Sequence, residues 1–176
     1  VMGIVVAVVM GILLTLPTSS AAIWVAVSTQ VSSGNEQAIL LAGGAATVGC
    51  ACHMIGFAVA SFKENGVSGL ISQGIGTSML QIPNVMKNPK IMLPEIIASA
   101  ILGPISTCLF GLKCNASGGG MGTSGLVGVF GTIEASSTLA PWVMILGIVL
   151  LMFVLPAVLS YIFSEIFKKI GWIKEG

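Results

Sequence analysis

The sequence predicts an all-α polytopic membrane protein, with about four transmembrane spans and two opposed, glycine-rich re-entrant segments. Three observations predict it. Of 176 residues, 55% are apolar and 7% charged, whereas soluble domains carry roughly 25% charged residues. Several uninterrupted apolar stretches exceed the roughly 20 residues that cross a bilayer. A short glycine–hydroxyl motif occurs twice, once after the second and once after the third of these stretches.

The first span runs from Val1 to about Val27 and is interrupted by Pro17, Thr18, Ser19 and Ser20. Proline removes a backbone donor and the hydroxyls can cap the freed groups, so this stretch reads as a discontinuous helix or as a simple kink. It lacks the basic flank of a signal peptide, and starting inside an apolar run predicts part of a longer protein. The second span covers Gln37 to Phe62, the third Ile91 to Leu112 with Pro94 and Pro104, and the fourth Leu139 to about Phe167 with Pro156.

Orientation follows from lysine. All seven basic residues are Lys, and Asp and Arg do not occur. If the spans alternate, Lys63, Lys87, Lys90, Lys168, Lys169 and Lys174 fall on one side and Lys113 alone on the other. The lysine-rich side, with the C-terminus, is predicted to be cytoplasmic. Trp142 and Trp172 flank the fourth span as interfacial anchors, and an interfacial place is also expected for Trp24. A net charge of +1 offers no field for nucleic acid, and without Arg the usual phosphate clamp is missing. Cys50, Cys52, Cys108 and Cys114 read as reduced thiols.

The connecting segments 63–90 and 113–138 are long, glycine-rich and poor in charge. They are predicted to dip into the membrane and return, where protein satisfies their backbone. An amphipathic helix on the interface is the competing reading for 66–82. Gly74-Ile75-Gly76-Thr77-Ser78-Met79-Leu80 matches Gly120-Met121-Gly122-Thr123-Ser124-Gly125-Leu126 in the pattern G-x-G-T-S-x-L. Each copy follows a span, and the two would enter from opposite faces. This is the signature of an inverted repeat, whose broken elements meet near the midplane in secondary transporters. Glycine lets backbone approach a ligand, and Thr and Ser hydroxyls offer hydrogen bonds. Tight helix packing is the plain structural use of the same residues.

Thr77, Ser78, Thr123 and Ser124 are therefore candidate solute ligands, with Gln81 and Asn84 following the first copy. His53 lies mid-span beside Cys50 and Cys52. Spacings of two and three do not gather these side chains on one helical face, so no metal site is predicted. His53 is either a hydrogen-bonded interior residue or a ligand for a polar solute or proton. Glu134 follows the second copy and is a candidate acceptor of two hydroxyls, or an outer-surface charge. Glu95, just after Pro94, reads as a charge that favours a helix N-terminus. Glu36, Glu64, Glu165 and Glu175 read as interfacial or solvated. No P-loop, His-Glu-x-x-His or Gly-x-Ser-x-Gly motif occurs, so no catalytic residue and no cofactor is assigned.

Several runs resemble a known family: Pro17–Ile23, Gly44–Cys50, Gly74–Asn84, Lys87–Lys90 and Gly120–Gly128. They look like the membrane domain of EIIC-type phosphotransferase-system permeases, in a branch that includes perfringolysin-regulator-like membrane proteins. The resemblance spans Val1 to about Val158 and implies that residues 1–176 are a single membrane domain, the C-terminal part of a longer EIIC-like domain. It implies a permease component for a neutral sugar in a bacterial phosphoenolpyruvate-dependent system, in the inner membrane and homodimeric. A separate EIIB protein or domain would supply the phosphoryl group. In better-known permeases the sugar is held by a His and a Glu near re-entrant loops, and that role would fall on His53 and Glu134. A membrane sensor without transport, and a carrier or channel independent of phosphotransfer, are the alternatives.

Overall fold

The computed structural model describes residues 2–15, 20–31, 36–76, 81–106, 113–114, 121–122, 126–135 and 141–171. Every element among them is helical. In chain order they are α1 (Met2–Thr15), α2 (Ser20–Val31), α3 (Glu36–Ala60), α4 (Phe62–Ile71) with a π turn at Ser72–Gly76, α5 (Ile82–Lys87), a 3-10 turn at Pro89–Met92, α6 (Leu93–Ile105), α7 (Val127–Ala135), α8 (Pro141–Ile148), a π turn at Val149–Val154, and α9 (Leu155–Ile170). Pro17, Thr77, Ser78, Cys108, Thr123, Ser124 and Trp172 lie outside the described residues.

α3 is the axis of the molecule. Residues 42–54 are buried without exception, which suits a helix apolar around its whole circumference. Its Gly, Ala and Cys residues keep the surface low, so neighbours pack close to its backbone. A Cβ on Gly49 would overlap the backbone of Ala7 in α1, and one on Gly11 would overlap the His53 ring.

α6 and α9 complete a three-helix core. Val48, Cys52, Ala98, Leu102 and Leu151 form one apolar cluster. Nearer the other end of α3, Gly56 faces Glu95 of α6 and Ser160 of α9. Pairing 48 with 102 and 151, and 56 with 95 and 160, makes α9 parallel to α3 and α6 antiparallel to both. This is the alternation predicted for spans two, three and four. A second cluster joins Met10 and Leu14 of α1, Trp24 of α2, and Ala42, Ala46, Cys50 and Met54 of α3. Trp24 is thus a buried core residue and not an interfacial anchor, because Gly43 leaves space for its ring 3.5 Å away.

Among the described residues two helices are long and apolar enough to cross a membrane, Ile39–Ala60 and Met144–Ile170. They correspond to predicted spans two and four. The stretch predicted as span one holds α1 and α2, either side of 16–19, and the stretch predicted as span three holds the shorter α6. The fourth span carries a π turn just before Pro156. Proline has no N–H and crowds the preceding carbonyls, and the wider turn absorbs this, with Leu155 N–H donating to Leu150 O. Spacing by four outruns the 3.6 residues of an α turn. The larger π turn offsets that drift, so Ile148, Met152, Pro156, Ser160 and Ser164 are all buried.

The lysines divide by end. Lys63 follows α3, Lys168 and Lys169 close α9, and Lys87 and Lys90 precede α6. Lys113 lies at the opposite end, where Cys114 N–H donates to Leu40 O at 3.0 Å.

Candidate functional site

The described parts of the two motif copies, Gly74–Gly76 and 121–122, lie against α3. From the Ala60 end, α4 turns at Gly66 (φ 62°) and the π turn folds back beside α3. The absent side chain of Gly74 lets this backbone lie against Ile55 and Ala58, where a Cβ would sit 3.3 and 3.6 Å from their side chains. From the Glu36 end, the chain passes Leu40 at Cys114 and arrives at Gly122. That residue has φ +56°, and a Cβ on it would meet Cys50 Cβ at 2.6 Å and Ala51 N at 2.9 Å. Ten residues of α3 separate Leu40 from Cys50, about 15 Å of helix rise. The chain then returns: Gly128 N–H donates to Gly122 O at 3.0 Å, and Thr132 Oγ1 donates to Gly128 O at 2.7 Å.

Gly74 meets α3 at Ile55 and Ala58, and Gly122 meets it at Cys50 and the Ala51 backbone. Ala51, Ile55 and Ala58 stand at i, i+4 and i+7, which is one helical stripe. The two approaches are about 9 Å apart along it.

Beside the first copy, four side chains form a one-way chain of donors. Asn84 Nδ2 donates to Gln81 Oε1 at 2.8 Å. Gln81 Nε2 donates to Gln73 Oε1 at 2.8 Å, and Gln73 Nε2 to Ser61 Oγ at 3.3 Å. Ser61 Oγ ends the chain on Phe57 O at 2.7 Å. Residues 77–80 lie between the two glutamines in sequence, so this relay braces both flanks of the motif. Aligned amides polarise one another in a low-dielectric setting. Asn84 itself is exposed, whereas Gln73 and Gln81 are buried.

His53 stands elsewhere. Gly49, His53 and Gly56 form a stripe about half a turn away from Ala51, Ile55 and Ala58. Its Nδ1 pairs with Gly49 O at 3.1 Å, its ring meets Phe57 edge-on at 6.2 Å, and its buried Nε2 has no partner. Glu134 is exposed on α7, next to buried Thr132. The structure therefore brings Gly74 and Gly122 against the same stretch of α3, and sets His53 and Glu134 away from the stripe of Ala51, Ile55 and Ala58.

Glu95 lies where it is expected along the chain, but inside the bundle. It occupies the first turn of α6, as expected for a helix N-terminal charge, yet it is fully buried. Among the described residues neither carboxylate oxygen has a hydrogen-bond partner, nor does Ser160 Oγ beside it. Thr47 and Ser99 return their hydroxyls to their own helix, to Gly43 O at 2.8 Å and Ile96 O at 2.9 Å, whereas Ser160 Oγ, like Ser106 Oγ, has no such bond among the described residues. A signal was present in the sequence: Glu95, Ala98, Ser99 and Leu102 share one helical face, and all are buried. Gln73 also went unremarked, and Gly-flanked Gln in an otherwise apolar run was its cue.

Cys50 Sγ donates to Met10 O at 3.5 Å. Cys50, Cys52 and Cys114 are free and buried, as expected for reduced thiols.

The chain matches the family described as Phosphotransferase system, EIIC over residues 1–176 and belongs to it. It is therefore a membrane component of a phosphotransferase-system permease, a class that works with EIIB phosphotransfer partners and sugar substrates. Neither a curated protein nor a solved structure matches it.

Proposed function

We propose that the chain carries the solute-binding segments of a permease for a neutral sugar, in a bacterial phosphoenolpyruvate-dependent system, together with a separate EIIB partner. The observation that carries this reading is that Gly74 and Gly122 both lie against α3, at Ile55 and Ala58 and at Cys50 and Ala51, within about two turns of each other. It supports a pair of opposed re-entrant segments whose tips meet beside that helix. On this reading Thr77, Ser78, Thr123 and Ser124 present hydroxyls to the sugar. Asn84 extends the first rim, steadied by the glutamine relay.

Glu134 accepts sugar hydroxyls once the chamber is completed by the rest of the permease or by a second copy in a homodimer. His53 acts through the packing of α1 on α3. The lysine-rich end is cytoplasmic, so the first segment enters from inside and the second from outside, in the plasma membrane.

The test is uptake of labelled sugars into vesicles holding the whole permease, with and without EIIB and the phosphoryl donor. Uptake that requires both supports the reading. Thr77→Val and Thr123→Val each lower it about ten-fold, by removing a hydrogen bond from a dry site. Uptake unaffected by both changes makes the motifs packing elements. Uptake without phosphoryl donor indicates a channel or ion-coupled carrier. Sugar binding without any uptake indicates a sensor.

A further inference from the structure

We propose that Glu95 and Ser160, at the notch left by Gly56, form an intramembrane site that binds and releases one proton. The proposal rests on the core of the bundle and stands apart from the sugar reading.

Three helices build the site. Gly56 of α3 faces α6 and α9, and a Cβ there would meet Ser160 Oγ at 2.5 Å and Glu95 Cγ at 2.8 Å. The two side chains therefore crowd one point, and the Glu95 carboxyl carbon lies one bond beyond Cγ. Glu95 and Ser160 are both 0% exposed. Among the described residues, both carboxylate oxygens and Ser160 Oγ lack a hydrogen-bond partner. An ionised carboxylate so placed has lost its water and gained no countercharge. A bound proton resolves the conflict. The neutral acid has one O–H to donate and an oxygen left to accept, and a serine hydroxyl offers the complementary acceptor and donor. The pair can therefore satisfy itself inside the bundle.

The surroundings leave that task to the proton. α1 carries no ionisable side chain, and Glu95 is the only one in α6. α3 presents the Cys52 thiol, close enough to feel the Glu95 charge, and His53, whose ring lies against Gly11 of α1. On α9, Glu165 pairs with Lys63 and Lys168 nearer the helix end, and Tyr161 and Lys169 are exposed. Lys87 and Lys90, which precede α6, are exposed as well. A hard metal cation takes more oxygen ligands than one carboxyl group and one hydroxyl supply. Ionisable groups enclosed within a membrane bundle are recurrent seats of proton binding. When α6 and α9 part and water reaches Glu95, the acid passes its proton to that water and becomes a carboxylate. Closure of the bundle takes one proton back from water.

The experiment uses the full chain in nonionic detergent and reads the infrared carbonyl stretch of a carboxylic acid, which carboxylates and amides do not share. A band there is expected at neutral pH. It should be lost in Glu95→Gln and should move to higher frequency in Ser160→Ala, where its hydrogen bond is gone. Isotope-labelled glutamate should shift the same band in the unaltered chain, so the assignment to a glutamate survives a Glu95→Gln variant that fails to fold, and Ser160→Ala then ties it to Glu95. Transfer to heavy water should shift the band too, which marks a proton that exchanges with solvent. Replacing potassium by sodium in the buffer should leave it unchanged. Absence of the band at neutral pH overturns the proposal. So does a band that Glu95→Gln or Ser160→Ala leaves in place, or one that heavy water does not shift. A band abolished by sodium overturns it as well, because the ligand is then a metal cation.

Discussion

Gly76 and Gly122 hold equivalent places in the two copies of one motif, yet their surroundings differ. Around Gly76 a Cβ would meet nothing within 4 Å, whereas at Gly122 it would meet α3 backbone and carry φ +56°. Gly76→Ala should therefore move the thermal midpoint little, within about 0.5 kcal/mol of wild type. Gly122→Ala should cost about 2–4 kcal/mol, from left-handed strain plus overpacking. Thermal unfolding in detergent of the two variants checks this, and equal losses would mean that Gly122 does not lie against Cys50. Glu95 poses a different question of chemistry at one position. Its carboxylate is enclosed by Gly56, Ser160 and α6 with no partner. Glu95→Gln keeps the shape and removes the charge, so its midpoint should equal or exceed that of wild type. Glu95→Lys should lose at least about 3 kcal/mol, because a longer cation enters the same enclosed space. Helical circular dichroism against temperature separates the two outcomes. If Glu95→Gln is no less stable than wild type, packing does not account for the carboxyl group, which makes Glu95 a position to test for solute uptake.

The helices were legible in the sequence wherever apolar length alone decides them. The predicted second span, Gln37 to Phe62, coincides closely with α3 (Glu36–Ala60), and the fourth with α8 through α9. What apolar length does not carry is which face a residue takes, so Trp24, expected at the interface, is buried, and Glu95, found at the helix N-terminus expected for it, is enclosed as well. Gly43 opposite Trp24 is the reason for one, and the period of α6 for the other. The segment after α3 was legible as unusual, through its glycines, but its bracing was not. That bracing depends on Gln73 and Gln81 meeting across eight residues, a contact no local pattern encodes. Its energetics follow from burial. Gln73→Leu or Gln81→Leu leaves a buried amide without its partner and should cost about 1–3 kcal/mol. The double variant removes both amides, so it should cost less than the sum of the single changes, with a coupling of about 1 kcal/mol or more. A double-mutant cycle on the unfolding midpoint measures it, and strict additivity would mean the glutamines do not meet.

At the scale of the molecule, three helices fix the direction of everything else. α9 runs with α3 and α6 runs against both, through the contacts of Gly56 with Glu95 and Ser160 and of Val48 with Leu102 and Leu151. Lys63, Lys87, Lys90, Lys168 and Lys169 are thereby brought to one end although they come from three regions of the chain, and Lys113 is left at the other. Lysine flanking a span favours the cytoplasmic side during insertion, so the proposed orientation puts this grouping in the cytoplasm and is open to test. Lys169→Cys should react with a membrane-impermeant maleimide only after cells are permeabilised, whereas Lys113→Cys should react in intact cells. Cys50, Cys52 and Cys114 are buried, and a Cys108→Ser background removes the fourth thiol, which lies outside the described residues. Labelling of both positions from the same side would break the alternation of α3, α6 and α9 across the membrane. The two motif copies would then no longer enter from opposite faces of the bilayer. Moving the lysine bias is the stronger form of the same test. Three lysines inserted beside Lys113, with Lys87→Gln and Lys90→Gln, should send a measurable fraction of chains into the inverted orientation, because the bias and not the helices' own sequence decides which end stays inside.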